Sequence, residues 1–257
     1  MPTVSLIVPV YRAELWIEEC MASIKAQTYK DIELIVIKDL HRTGAAAARN
    51  RGLDKATGEY VAFCDADDYL VPYAIETMVA AMEGVDMVCG SFRKFGKFEQ
   101  IVSAKTERMS RKAVASYAMG NMRNPRTNQM LSGCWAKLYR RSMIGRFPNI
   151  TTAEDMAFNF DYLRLCFRDV IFIPYIVYHN RKHEGSLTTT FDDKDRRGLF
   201  GFMEGLKYVK CFLSSFYSEE ELESAIDNFK IYHSVLYAQR VGPDALGQLF
   251  PLENSAC

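Results

Sequence analysis

The sequence predicts an α/β domain, a mostly parallel sheet with helices on both faces, followed by a C-terminal helical extension. Three observations carry that reading. Up to about residue 90, short apolar runs alternate with helical periodicities, the order that parallel strands joined by crossover helices require. The runs are almost wholly apolar instead of alternating, so both faces of the strands are expected to be covered. The composition is that of a folded chain: 257 residues, 49% hydrophobic and 25% charged, with 32 Lys+Arg against 32 Asp+Glu. This excludes a disordered chain and leaves no global basic field, so no nucleic-acid partner is expected.

The elements follow in order. Val4–Val10 reads as a buried strand, with no basic n-region to make it a signal peptide. Leu15, Ile17, Cys20, Met21 and Ile24 recur at three- and four-residue spacings, one face of a helix over 14–27. A second buried strand is expected at Ile32–Ile37, an alanine-rich helix over 44–56, and a third strand at 60–64. A helix over 72–82, a strand from Val85, a helix over 154–166 and strands around 170–173 and 176–180 complete the domain. Beyond Asp192 two amphipathic helices are expected, with Glu219, Glu220, Glu221 and Glu223 at the start of the second, where the helix dipole favours them. They are expected to pack on their own domain, with homodimerisation or membrane-surface contact as alternatives. No run reaches the roughly 18 apolar residues of a membrane span. The seven cysteines are scattered without metal or redox spacing, which reads as buried, reduced thiols in a cytoplasmic protein.

Charge is uneven in the middle. From Arg108 to Ala153 there are nine Lys/Arg and no Asp or Glu. Such a run is either a solvated basic face or a surface for an anionic partner such as a diphosphate or a lipid phosphate, with peripheral membrane contact.

The third strand runs directly into Asp65-Ala66-Asp67-Asp68. Ligands of parallel sheets bind at the carboxyl ends of the strands. Carboxylates crowded there raise one another's pKa unless a cation neutralises them, and Mg²⁺ or Mn²⁺ does so while bridging phosphates. The competing reading is an Asp-rich turn with Asp68 capping the next helix. No Gly-x-Gly-x-x-Gly, P-loop or Gly-x-Ser-x-Gly pattern is present, so dinucleotide, P-loop and nucleophile-elbow chemistry are set aside.

Val4-Ser5-Leu6-Ile7-Val8-Pro9-Val10-Tyr11, Ser23-x-x-x-Gln27-Thr28-Tyr29, Glu33-Leu34-Ile35-Val36, Ala48-Arg49-Asn50-Arg51-Gly52 and Gly58 through Asp68 together resemble glycosyltransferase family 2. Trp135 through Arg140, Glu154 through Asn159 and Gly185-Ser186-Leu187-Thr188 extend the resemblance over roughly residues 3–190. It implies the GT-A (Rossmann-like) fold: a nucleotide-sugar-binding half over 1–95, an acceptor-binding half over 96–190, and the helical extension over 191–257. It also implies roles. Asp67 matches the metal-binding aspartate of the DxD motif, with His183 as a further ligand, and Asp65 its partner toward the ribose. Asp39 matches the aspartate that recognises uracil, and Pro9 and Tyr11 the loop framing the base. Arg49 and Arg181 match arginines on the nucleotide and diphosphate side, and Asp155 the catalytic base of inverting members.

Each residue has a plainer alternative. Thr151-x-x-Glu154 is a capping box, which would spend Glu154 on starting its helix and leave Asp155 a dipole-satisfying surface residue. Tyr11 and Trp135 read equally as wall residues, His183 as a solvated loop residue, and Arg49 as the salt-bridge partner of a sheet-end carboxylate. The chain also departs from the family pattern. From Lys38-Asp39-Leu40-His41 it passes almost at once to Gly44, where most members place another helix and strand. One helix must then make the crossover, and the base pocket loses a neighbour.

The expectation is therefore a metal-dependent inverting enzyme that uses Mn²⁺ or Mg²⁺. It would move a sugar from a nucleotide-diphospho-sugar, a UDP-sugar foremost, to a carbohydrate or lipid-linked acceptor at the inner face of the membrane. A nucleotidyltransferase and a non-catalytic nucleotide-sugar-binding scaffold are the alternatives.

Overall fold

The computed structural model describes residues 1–40, 43–183 and 197–241. In chain order its elements are β1 (Val4–Val10), α1 (Ile17–Lys25), β2 (Ile32–Lys38), α2 (Ala45–Leu53), β3 (Tyr60–Phe63), β4 (Tyr69–Leu70) and α3 (Ala74–Ala80). Then come β5 (Val85–Gly96), β6 (Gln100–Val102), β7 (Glu107–Met109), α4 (Arg111–Arg123), β8 (Lys137–Arg140), α5 (Glu154–Leu165), β9 (Asp169–Lys182), α6 (Arg197–Leu213) and α7 (Glu219–Val241).

One sheet runs β2-β1-β3-β8-β5-β9-β4, with β6 on β5 and β7 on β9. β1 pairs in parallel with β2 and β3, and β5 in parallel with β9. β8 is antiparallel to both of its neighbours, β3 and β5, so those two strands still point the same way. The carboxyl ends of β1, β2, β3, β5 and β9 thus share one edge. The expected boundary at residue 95 falls inside β5, so both halves are built on the same sheet.

Burial follows from the sequence. Val4, Leu6, Ile7 and Val8 have no exposed surface, as an all-apolar central strand demands. Ser5 is tolerated there because its hydroxyl donates to Glu33 (2.5 Å) and accepts from the Gly58 N–H (2.9 Å). α2 lies close on β1: a Cβ on Gly52 would sit 2.4 Å from Ile7 Cγ2, so that position requires glycine. On the same side Phe63, the partner of Ile7 across the sheet, packs edge-on against Phe147 and Phe158, which fixes α5 there.

The structure corrects several expectations. β2 is not buried on both faces: Leu34 is 42% and Val36 37% exposed, because it is the edge strand and α2 alone makes the crossover to β3. The two strands expected around 170–173 and 176–180 are one strand, with a register irregularity that passes over Pro174, which has no N–H to give the ladder. Five described cysteines are buried, but Cys211 is exposed on α6. The terminal helices pack on the domain, α6 along α5 and α7 against α4, as expected. Among the described residues no helix is long and apolar enough to cross a membrane. Residues 185–188 of the resemblance lie outside the described residues.

Part of the basic run is spent within the fold. Lys137 is buried, and Arg108, Arg140 and Arg146 pair with Asp169, with Glu59 and Asp86, and with Asp54. These carboxylates lie outside residues 108–153, so for these three arginines the fold supplies the counter-charge that the segment lacks, while Lys112, Arg123, Arg126 and Arg141 remain exposed.

Candidate active site

The strand-end aspartates divide their work. Asp65 Oδ1 accepts from Arg49 Nη2 at 2.8 Å. Asp67 Oδ2 lies 3.0 Å from His183 Nε2, while its backbone carbonyl accepts from Arg181 Nε at 3.0 Å. Asp68 is buried and does not cap α3. Its carboxylate accepts from Tyr178 Oη (2.8 Å), Asn180 Nδ2 (2.9 Å) and the Arg181 N–H (2.6 Å), all on β9. Burial, with the negative charge of Asp67 and Asp65, pushes its pKa up, and the donors from Arg181 and Asn180 work against that shift. Asp68 is thus the bracket that ties the end of β9 to the end of β3.

Arg49 is the hub. Only 3% exposed, it projects from α2 along the stripe Ala46–Arg49–Gly52, where a charge survives only if it is paired. Nη1 donates to Glu154 Oε1 (3.0 Å) and Asp155 Oδ1 (2.7 Å), and Nη2 to Asp65. Its guanidinium carbon stands 5.4 Å from the Phe147 ring centroid. Glu154 therefore forms no capping box: α5 opens after Ala153, at φ 61°, without a side-chain cap, and the Glu154 carboxylate turns inward. Burial, then the charge of Asp155, lifts Glu154 to about 7 against the pull of Arg49. Asp155 is also raised by burial, opposed by Arg49 and by contacts from Cys134. Three carboxylates around one guanidinium leave the cluster net negative, and a base with a raised pKa is better matched to taking a proton near neutral pH.

At the other end Pro9 and Tyr11 leave β1 beside Asp39, which follows β2; Pro9 stands in register with Ile37, and the Asp39 N–H donates to the Val10 carbonyl (2.8 Å). Tyr11 is 39% exposed, available as a wall. Asp39 is buried and accepts from Thr43 Oγ1 (2.7 Å), the Gly44 N–H (3.0 Å) and Arg51 Nη2 (3.2 Å). Burial works against its ionised form, but these donors outweigh it and hold the carboxyl down at about 2.

Arg181 does not present an unoccupied fork. Its guanidinium is sandwiched between Trp16 (4.2 Å) and Phe95 (4.6 Å) and also pairs with Glu19. Its structural work is to hold the Asp67 backbone.

The site thus joins the ends of β1, β2, β3 and β9 to the first turn of α5. The family model for glycosyl transferase family 2 matches residues 5–41 and 39–147, more than half of the chain. The chain belongs to glycosyltransferase family 2. It is 29% identical over 274 residues to EpsH of Bacillus subtilis (strain 168), whose name assigns it to the glycosyltransferases; the match covers 91% of this chain and 75% of EpsH. It is 31% identical over 134 residues to the GalNAc(5)-diNAcBac-PP-undecaprenol beta-1,3-glucosyltransferase of Campylobacter jejuni subsp. jejuni serotype O:2, covering 41% of this chain and 43% of that one. Among solved structures, S. aureus TarS 1-349 in complex with UDP-GlcNAc superposes with a TM-score of 0.67 at 19% identity, covering 96% of this chain and 80% of that one. That likeness shows the fold, the GT-A architecture implied by the resemblance.

Within this family site, the structure brings Asp65, Arg49 and Asp155 into one hydrogen-bonded cluster and puts Asp67 against His183. Pro9, Tyr11 and Asp39 sit at the neighbouring strand ends. Sequence reasoning missed the triple role of Arg49. The signal was available: an arginine three residues from an alanine and a glycine on the buried stripe of a helix has to meet carboxylates.

For a divalent ion the fit is partial and of a recognisable kind. Among the described residues no three His, Cys, Asp or Glu gather as a complete metal cage. Asp67 and His183 offer one oxygen and one nitrogen side by side, and Mg²⁺ is commonly held by one or two carboxylates plus substrate phosphates and water. The residues present fit an ion that arrives with a diphosphate.

Proposed function

We propose that the protein transfers a sugar from a nucleotide-diphospho-sugar, foremost a UDP-sugar, to a hydroxyl of a carbohydrate or lipid-linked acceptor, with inversion. The product would belong to cell-surface polysaccharide or glycolipid. The observation that carries this reading is the shared guanidinium of Arg49, which sets Asp65 of the donor strand end and Asp155 of α5 in one rigid frame. The UDP-GlcNAc complex of TarS and the undecaprenol-linked acceptor in the name of the Campylobacter enzyme support the donor and acceptor classes.

In this reading Pro9 and Tyr11 frame the base, Asp39 accepts from it, and Asp65 faces the ribose. Mn²⁺ or Mg²⁺ on Asp67 and His183 would offset the negative charge of the diphosphate as it leaves. The acceptor oxygen attacks the anomeric carbon as the bond to the diphosphate oxygen breaks. The acceptor proton passes to Asp155, whose carboxylate is oriented by Arg49. Holding donor and acceptor in line supplies much of the rate.

Asp155→Asn tests this, with UDP affinity read by calorimetry and turnover by UDP release from a nucleotide-sugar panel offered with a lipid extract. Turnover should fall by about 10²–10⁴-fold, the usual worth of general-base catalysis, with UDP affinity nearly unchanged. Turnover at the normal rate would remove Asp155 as the base. Wild-type protein that neither binds UDP nor releases it from any sugar would leave the non-catalytic scaffold.

A further inference from the structure

Lys137 opens β8 with only 2% of its surface exposed, a buried cation that the proposed chemistry does not use. A lysine is almost never buried without partners. Here the ammonium is spent on the backbone just before it: Nζ donates to the carbonyls of Gly133 (2.5 Å) and Trp135 (3.4 Å). Asn159 of α5, also buried, grips the same segment. Its Nδ2 donates to the carbonyls of Leu131 (2.8 Å) and Gly133 (2.9 Å), and its Oδ1 accepts from Tyr139 Oη (2.6 Å). The Gly133 carbonyl thus takes two donors, one of them charged, which fills both its lone pairs.

That grip has a direction. A trans peptide unit is planar, and its N–H points away from its C=O. With the Gly133 carbonyl held by Lys137 and Asn159, the N–H of Cys134 in the same unit points the opposite way, and Asp155 receives it. The Cys134 thiol donates to the same carboxylate, and both contacts favour its ionised form. A cation on the carbonyl polarises the peptide and strengthens its N–H as a donor. Asp155 and Asn159 lie one turn apart on α5, so one helix face carries both part of the grip and the group it serves. The next residue, Trp135, stacks on Tyr178 with ring centroids 5.1 Å apart, and Tyr178 Oη accepts the Asp65 N–H (3.0 Å) and donates to Asp68 (2.8 Å). The segment therefore touches Asp155 on one side and the support of the strand-end aspartates on the other, independently of Arg49.

We infer that Lys137 is a positioning residue for the transfer step: acting through the Gly133–Cys134 peptide, its ammonium aims the donors that hold Asp155 in place. This rests on the proposed role of Asp155 and goes beyond it, because it assigns a function to a side chain with almost no surface to offer a substrate.

Lys137→Met and Lys137→Gln are compared with wild type by thermal unfolding, UDP calorimetry and steady-state turnover on the substrates that wild type accepts. Both variants should unfold cooperatively, with UDP affinity and acceptor KM unchanged. For Lys137→Met kcat should fall about 10–100-fold, the worth of a hydrogen bond to a charged group. Lys137→Gln should lie between, since an amide N–H can still meet the carbonyl. A lysine with a structural role alone would lower Tm and leave kcat per folded molecule unchanged. Wild-type kcat in both variants would overturn the inference, and so would the loss of a melting transition in both. A second readout needs no turnover: urea unfolding of Lys137→Met, Asp155→Asn and the double variant. Lys137→Met should cost less stability in the Asp155→Asn background than in wild type, and additive effects would overturn the link. Coupling in a wild-type protein that turns over no nucleotide-sugar would keep the link and sink the transferase reading.

Discussion

Arg49→Met removes the guanidinium from the cluster while keeping an unbranched apolar stem. In the wild type that group makes three short ion-paired hydrogen bonds, at 2.7, 2.8 and 3.0 Å, from a side chain only 4% exposed. Removing one partner of a buried ion pair costs about 3–5 kcal/mol, and here three carboxylates are stranded, which argues for the upper end. Part of that is recovered by protonation, since Glu154 already titrates at about 7. A carboxyl whose pKa is raised on folding binds more protons in the native state than in the unfolded chain between the two pKa values. Stability therefore falls as pH rises through that window, by about 1.4 kcal/mol per unit for each proton. Without Arg49 the pKa of Asp155 rises too, so the deficit of the variant should be small at pH 5 and full at pH 8. Against a typical total of about 5–15 kcal/mol this is a large fraction. In a chain of this size it should lower Tm by about 6–20 °C at pH 8. Arg49→Lys should fall between, because one ammonium cannot fork to three carboxylates. Urea and thermal unfolding of the three proteins at pH 5 and pH 8 measure this. A deficit under about 1 kcal/mol, equal at both pH values, would refute the hub.

Two further outcomes are expected. UDP should bind at least about tenfold more tightly with Mn²⁺ than with EDTA, and Asp67→Ala should abolish the gain; equal affinity in both buffers would remove the ion from the proposal. Asp39, held at about 2 against an ordinary 3.8, stabilises the fold above pH 4 and loses that contribution as pH falls toward 2. Asp39→Asn should therefore cost about 2 kcal/mol at pH 7, about half that at pH 3 and little near pH 2, read by urea unfolding, and a variant as stable as wild type at pH 7 would contradict the hydrogen-bond account.

What could be read from the sequence was set by how local its cause is. β1 and β3 were legible because a strand covered on both faces must be apolar at every position, and the aspartates because three in four residues are visible without a fold. The same logic misread β2, where Leu34 and Val36 are apolar yet exposed: a run of apolar residues does not say whether a neighbouring strand exists to cover it. Apart from the family match at Trp135 through Arg140, the segment 108–153 reads in the sequence only as charge. It hides α4 and the antiparallel β8, and three of its arginines, Arg108, Arg140 and Arg146, are answered by Asp54, Glu59, Asp86 and Asp169, which no one-dimensional count can see. Thr151 and Glu154 have the spacing of a capping box, but the carboxylate is drawn to Arg49, so an ion pair from another element overrides the local pattern.

The shortened crossover has a consequence for the proposed base pocket. Among the described residues no strand pairs beyond β2, and Asp39 is ordered locally, by the turn that follows it. Thr43, the Gly44 N–H and Arg51 converge on the carboxylate, and Gly44 takes φ 95° to aim its N–H. The Thr43 backbone N–H adds a fourth donor, so the roughly four lone-pair sites of the carboxylate are met from within the turn itself. The turn that stands where the family usually places another helix and strand therefore does the work of a neighbouring element: its own donors outweigh the cost of burial and keep Asp39 ionised and fixed at the end of β2.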